Sequence, residues 1–139
     1  MTNGQREQHA REIAAGYGVE IRVVQYDLCP PVSRGDATGQ AHGGFVALCM
    51  PRGWTQDAYF ATLHEIGHCV LRHVEDGCAT SAYALNTMQC EIDAWLWASE
   101  HALPLGVRAR RFAVSCAKTY ARRLGREDAI VELSVALNV

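Results

Sequence analysis

The pentapeptide HEIGH at residues 64–68 combines two imidazoles and a carboxylate at helical spacing. His64 and His68 are four residues apart. On a helix this spacing places both side chains on one face, where they can bind one metal ion. Glu65 projects beside that face and can accept a proton from a water molecule that the metal activates. Zn²⁺ suits such a site because it takes imidazole and carboxylate ligands in a tetrahedral array and leaves one position for water.

The residues around the motif decide between a metal site and a pair of solvated surface histidines. Leu63, Ile66, Val70 and Leu71 make the segment largely apolar, so we expect the helix to be buried. Buried imidazoles beside a glutamate need a compensating partner, and a metal ion supplies one. The sequence therefore favours the metal site.

A catalytic zinc site needs a third protein ligand, and the sequence offers two carboxylates for it. Glu91 begins the next predicted helix, 23 residues after the second histidine, which leaves room for an antiparallel return. Ala94 and Ala98 share the helical face of Glu91, and their small side chains would let this helix approach Gly67 closely. Asp93 is the competing carboxylate, but it lies about 200° around the helix. We therefore predict Glu91 as the third ligand.

Three other side chains are candidates for supporting roles. A histidine ten residues after His64 would be a further ligand candidate, but His73 falls one residue short of that position. On a continuous helix His73 lies about 140° around from His68, so we expect it to support a ligand rather than to bind the metal. Tyr83 and His101 are candidates for stabilising an oxyanion, with plain surface positions as the alternative.

The elements that must position these residues can be read from hydrophobic spacing and from Gly and Pro positions. Thr55 is a good N-cap for the helix that carries HEIGH, and Asp57 lies in its first turn, where the helix dipole favours a negative charge. The segment 29–44 is rich in Pro, Gly and Ser and is predicted to be a loop. We predict strands at 20–26 and 45–50 and helices at 5–16, 56–74, 87–102, 105–124 and 127–137.

These elements predict an α+β fold in which a small, mostly antiparallel sheet packs on the helix with HEIGH. A helical C-terminal half follows, and the length of 139 residues predicts one domain over 1–139. No apolar run approaches the ~20 residues of a membrane span, and the N-terminus lacks the apolar core of a signal peptide. We therefore expect a soluble, cytoplasmic protein with no membrane partner. The six cysteines contain no C-x-x-C pair, so we expect them to be reduced, buried thiols.

The formal net charge of -2 argues against a nucleic-acid binder. Seven of the thirteen basic residues nevertheless fall between positions 108 and 126. Contact with DNA or an acidic partner is one interpretation, but the regular apolar stripe of this helix favours a solvated face opposite the core. Trp95 and Trp97 fit core packing better than a substrate pocket.

The motifs taken together resemble the ImmA/IrrE family of small zinc metallopeptidases. The resemblance covers about residues 45–105 and rests on His64–His68, Glu91–Ala98 and Leu103–Pro104. It implies a gluzincin-like core and peptidase activity. In known cases the substrates are helix-turn-helix repressors of phage, mobile elements or stress responses. This substrate class comes from the resemblance and from no residue of this chain.

The expected function is zinc-dependent hydrolysis of a peptide bond in a protein or peptide substrate, such as a transcriptional repressor. Zn²⁺ is held by His64, His68 and Glu91, and Glu65 is the general base. The strand at 45–50, if it forms the edge of the sheet, can pair with an extended substrate. The alternative is a zinc-stabilised, non-catalytic partner-binding protein of phage or mobile-element origin. Glu65 favours the enzyme, because a structural zinc needs no general base and usually has four protein ligands.

Overall fold

The structure, a computed structural model, describes residues 1–24, 37–73 and 87–139, and it confirms the α+β fold class. Within these residues, one helix and three strands precede residue 56, and helices follow it. In chain order the elements are α1 (Asn3–Gly16), β1 (Glu20–Val24), β2 (Thr38–Ala41), β3 (Phe45–Cys49), α2 (Gln56–Val70), α3 (Thr87–His101), α4 (Val107–Leu124), a short 3₁₀ helix (Glu127–Ala129) and α5 (Ile130–Leu137).

The sheet has the strand order β1-β3-β2, with β1 parallel and β2 antiparallel to β3. It is therefore mixed, whereas mostly antiparallel pairing was predicted. Strand β2 was not predicted, since TGQA lacks the β-branched and aromatic residues typical of strands. Its ladder with β3, which pairs Gly39 with Leu48, stabilises it. We expected β3 to pair with a substrate only if it formed an edge of the sheet. Because β3 is the central strand, that expectation is not met.

Helix α2 lies at the centre of the molecule and contacts α1, α3, α4, β2 and β3. Thr55 caps its N-terminus by accepting a hydrogen bond from the backbone N–H of Ala58, at 3.2 Å. Tyr59, Phe60 and Leu63 are fully buried. A helix that is apolar on most of its circumference is typical of a core position, where several elements cover it. The predicted burial is therefore confirmed for Leu63 and Ile66 and for both histidines, but it is wrong for Leu71, which is 39% exposed at the end of α2.

Helices α2 and α3 run antiparallel and approach each other closely. The Tyr59 hydroxyl accepts a hydrogen bond from the backbone N–H of Leu103, beyond the end of α3, while His68 near the end of α2 contacts Glu91 near the start of α3. At Gly67 a Cβ atom would lie only 3.1 Å from the carbonyl oxygen of Ala94. The absence of a side chain at position 67 thus allows the contact that was predicted from the small residues of α3.

Helix α4 packs against both α2 and α3 with a face made of small residues. Every buried alanine of this face is at most 1% exposed: Ala109, Ala113, Ala117 and Ala121. The basic side chains Arg108, Arg111, Lys118, Arg122 and Arg123 are exposed. This is the solvated arrangement that the apolar stripe predicted. One cluster of buried side chains links the sheet with all five α-helices.

The cysteines depart from the sequence-based expectation. Cys49 at the end of β3 and Cys90 in α3 are disulfide-bonded, so the prediction of reduced thiols is wrong for both. Cys69 in α2 does carry a free thiol. Pairing depends on which cysteines the fold brings together, which spacing along the chain does not reveal.

None of the helices in the described parts of the chain combines the length and the apolar character needed to cross a membrane.

Candidate metal centre

Three buried side chains from two helices meet at one point. The Nε2 atom of His64 lies 3.1 Å from Oε2 of Glu91, and Nε2 of His68 lies 3.0 Å from Oε1 of the same carboxylate. The two imidazoles lie one turn apart on α2, with ring centroids separated by 4.5 Å. Their residues and Glu91 are only 2–6% exposed. The structure therefore brings together the three residues predicted as ligands.

A second carboxylate lies on the other side of His64. Oε1 of Glu65 is 3.3 Å from Nδ1 of that ring. One ligand atom each from His64, Glu65 and His68 lie within 4.8 Å of one another, so this group could also hold a metal ion. The two nitrogens of an imidazole point in diverging directions. Both histidines direct Nε2 to Glu91, so an ion bound through both Nε2 atoms would lie on the Glu91 side of the rings, while Glu65 faces the other nitrogen of His64.

The charges in this cluster compensate one another. Burial disfavours the charged form of His64, but the Glu91 and Glu65 carboxylates outweigh burial and raise the pKa of His64 to about 9. Burial alone would raise the pKa of Glu91, yet the two imidazoles hold it below its usual range. The cluster therefore favours the ionised form of Glu91 and the positively charged form of His64.

His73 lies behind His68, with the two Nδ1 atoms 2.8 Å apart. The predicted angular separation of the two rings is wrong, because α2 ends at Val70 and Arg72 takes a left-handed φ of 63°. This turn folds the chain back and brings His73 against His68. Burial, followed by the neighbouring charge of His68, lowers the pKa of His73. A neutral His73 can share one proton with Nδ1 of His68 and so fix which nitrogen faces Glu91.

His101 and Asp93 make other contacts in the described part of the chain. Nδ1 of His101 is 2.8 Å from the carbonyl oxygen of Trp97, and its ring stacks on that indole. His101 is ten residues from Glu91 along α3, a rise of about 15 Å, so the structure does not bring it to the imidazole pair. Asp93 accepts a hydrogen bond from Gln89. Tyr83 lies outside the described residues.

Two neighbours of the site were missed in the sequence. A Cβ on Gly39 would lie 2.9 Å from Cγ of Glu65, so β2 runs directly beside that side chain. Tyr120 of α4 is partly buried. Its burial, and then the charges of Glu91 and Glu65, raise its pKa to about 12, so the phenol stays protonated. Tyr120 was missed because it fits the apolar stripe of α4, and Gly39 was missed because its segment was predicted to be a loop.

No protein-family model matches the chain, and no curated protein or solved structure matches it either. The resemblance to the ImmA/IrrE family therefore rests on the residues named for it. The case for a function rests on the geometry of the site.

Proposed function

We propose that this chain is a zinc-dependent endopeptidase of the kind that the ImmA/IrrE resemblance implies. One observation carries the proposal: His64 and His68 direct Nε2 at one carboxylate, Glu91, while a second carboxylate, Glu65, lies beside them. A purely structural metal site has no use for the second carboxylate.

The donor set fits zinc. Zinc takes nitrogen ligands at about 2.0–2.1 Å and carboxylate oxygens at similar distances, so neighbouring ligand atoms in a tetrahedral site are about 3.3 Å apart. The nitrogen–oxygen distances of 3.0 and 3.1 Å are close to that separation, and a small outward shift would admit the ion. Two imidazoles and one carboxylate also leave a fourth position open. His64, His68 and Glu91 would hold the ion, which would supply polarisation of a substrate carbonyl and a water molecule that is nucleophilic at neutral pH.

Glu65 is the general base in this proposal. Its side chain is 14% exposed, compared with 6% for Glu91, so solvent reaches Glu65 more easily. It accepts a proton from the attacking water and passes it to the amine that leaves when the C–N bond breaks. Tyr120, whose phenol keeps its proton, is the candidate donor to the oxygen that becomes negative. This role was assigned to Tyr83 or His101 from the sequence.

Strand β2 is the proposed docking edge for an extended substrate. It pairs with β3 on one side, and within the described residues no strand pairs with its other side. An extended peptide can add to such an edge through backbone hydrogen bonds. Since Gly39 of β2 abuts Glu65, a peptide along this strand would pass the general base. The proposed pairing thus moves from β3 to β2.

The test measures metal content and hydrolysis separately. We expect about one zinc ion per chain by elemental mass spectrometry, and none after His64→Ala. Mass spectrometry of casein and of a panel of purified helix-turn-helix repressors should detect cleavage by the zinc-loaded chain, and Glu65→Gln should keep the zinc and lose the cleavage. The repressor panel tests the substrate class, which is itself a proposal. Zinc without hydrolysis of any substrate would favour the non-catalytic binding protein, and absence of zinc would refute both.

A further inference from the structure

The indole of Trp95 lies flat against the imidazole of His64. The ring centroids are 4.0 Å apart and the planes differ by 14°. Trp95 is 2% exposed, and it follows Glu91 by one turn of α3. Phe60 meets the indole from another direction at 5.0 Å and 72°. The indole is thus held in place, and it covers one face of the ring that carries a proposed metal ligand.

The two imidazoles are anchored differently. His68 has His73 behind it, with a short contact of 2.8 Å to the nitrogen that faces away from Glu91. For His64 the corresponding nitrogen meets Glu65 at 3.3 Å, which is long for a hydrogen bond. A general base must also be free to accept a proton from water. Glu65 is therefore a poor permanent anchor, and among the described residues the stacked indole is the group that lies flat against the plane of His64.

A tryptophan at position 95 buries a polar N–H group, and the need to fill the core does not explain this. The indole N–H of Trp95 is buried and has no hydrogen-bond partner among the residues that the structure describes. Buried polar groups in native proteins are nearly always paired, so an unpaired one asks for a reason. Phenylalanine or leucine would fill an apolar core without this orphaned donor. A large flat face against His64 is what tryptophan offers in exchange.

We propose that Trp95 is a positioning residue that fixes the imidazole plane of His64 and so directs its Nε2 at the metal. This inference rests on the proposed metal site, but not on hydrolysis. Groups that orient a metal ligand typically change metal affinity 10–100-fold when they are removed. Loss of the indole face should therefore weaken zinc binding by about that factor.

The experiment compares Trp95→Met with Trp97→Met. Methionine fills an apolar space but has no ring plane. Trp97 is the matched control, because it is a buried tryptophan of the same helix that stacks on His101 instead of a proposed ligand. Zinc affinity is measured by competition with a chromophoric chelator, and the visible absorption of the cobalt-loaded protein reports ligand geometry. We expect Trp95→Met to lose about 10–100-fold in affinity and to alter the cobalt spectrum, while Trp97→Met changes neither.

Equal affinities of Trp95→Met and Trp97→Met for zinc would overturn the inference, whatever both substitutions do to thermal stability. Should circular dichroism show that Trp95→Met does not fold, Trp95→Phe against Trp97→Phe decides, because the smaller ring keeps only part of the stack. A smaller loss in the same direction is then expected at position 95, and equal affinities again overturn the inference. Failure of the unmodified chain to bind zinc would instead refute the proposed function.

Discussion

Glu65 and Glu91 have the same side chain in different surroundings. Glu91 contacts both imidazoles and is nearly inaccessible, whereas Glu65 contacts one ring from its other side and is more exposed. The cluster around Glu91 stabilises its ionised form. At the scale of single residues, position relative to two ring nitrogens therefore separates a proposed ligand from a proposed base.

Substitution of the two glutamates should separate their roles. Glu91→Gln removes a proposed charged ligand and should abolish stoichiometric zinc binding. Glu65→Gln should retain zinc and lower kcat by about 10²–10⁴-fold, the range for loss of a general base. Elemental analysis and cleavage rates on the same preparations check both outcomes. The reverse pattern of metal retention would make Glu65 the third ligand.

Tyr120→Phe tests the proposed oxyanion donor. The substitution removes one hydroxyl and keeps the ring that packs against the core. We expect unchanged zinc content and a kcat lower by about 10²–10³-fold, as for the loss of one donor to an oxyanion. An unchanged kcat would exclude the hydroxyl from the reaction. Arg123, whose guanidinium lies 5.7 Å from the same ring, offers a control through Arg123→Gln, since it supplies no proposed donor.

At the scale of elements, the contact between α2 and α3 decides whether ligands from both helices can share one ion. The contact depends on Gly67 of α2, whose missing side chain leaves room for the backbone of Ala94 in α3. The end of α2 matters as well, because the left-handed residue Arg72 turns His73 back onto His68. The close helix contact lets Glu91 of α3 reach the two histidines of α2. The turn at Arg72 brings His73 to His68, from which a longer, regular α2 would have separated it.

Gly67→Ala should push these helices apart. The added Cβ would lie 3.1 Å from both the Ala94 carbonyl oxygen and Cε3 of Trp97, and overpacking of this kind typically costs about 1–3 kcal/mol. The gain of up to about 1 kcal/mol in helix propensity offsets only part of that. We expect lower stability to urea and weaker zinc binding. Gly4→Ala in α1, where a Cβ has room, is the control and should be neutral or stabilising; equal effects of both substitutions would contradict the close contact.

At the scale of the whole molecule, the sheet and α4 enclose the helix pair, and disulfide bonds add covalent links. Cys49 ends the central strand β3, and Cys90 directly precedes Glu91. Both cysteines are disulfide-bonded, so covalent constraints act on the sheet and on the start of α3. These constraints were absent from the sequence-based description of the protein.

Reduction should therefore destabilise the fold. A disulfide typically contributes about 2–4 kcal/mol, so treatment with a phosphine reductant should lower the thermal midpoint by several degrees. The free energy of unfolding in urea, measured on metal-free protein with and without reductant, checks this. Identical unfolding curves, with thiol titration confirming reduction, would show that the disulfides do not stabilise the protein.

Local patterns in the sequence were sufficient to predict the helices and to identify HEIGH as a possible metal-binding motif. Helical spacing is a property of neighbouring residues, so His64, His68 and the cap at Thr55 were predictable without knowledge of distant contacts. Glu91 was predicted as a ligand because small residues on its face indicated a close helix contact. That its carboxylate binds zinc remains a prediction.

Only the tertiary structure decided the features that depend on residues far apart in the chain. Strand β2 forms from a Gly-rich segment because β3 pairs with it, and the same pairing puts Gly39 beside Glu65. The stack of Trp95 on His64, the partial burial of Tyr120 and the bonding of the cysteines likewise follow from packing between elements. Such contacts leave no periodic signal in the sequence, because periodicity reports which face of an element is buried and not what lies against it.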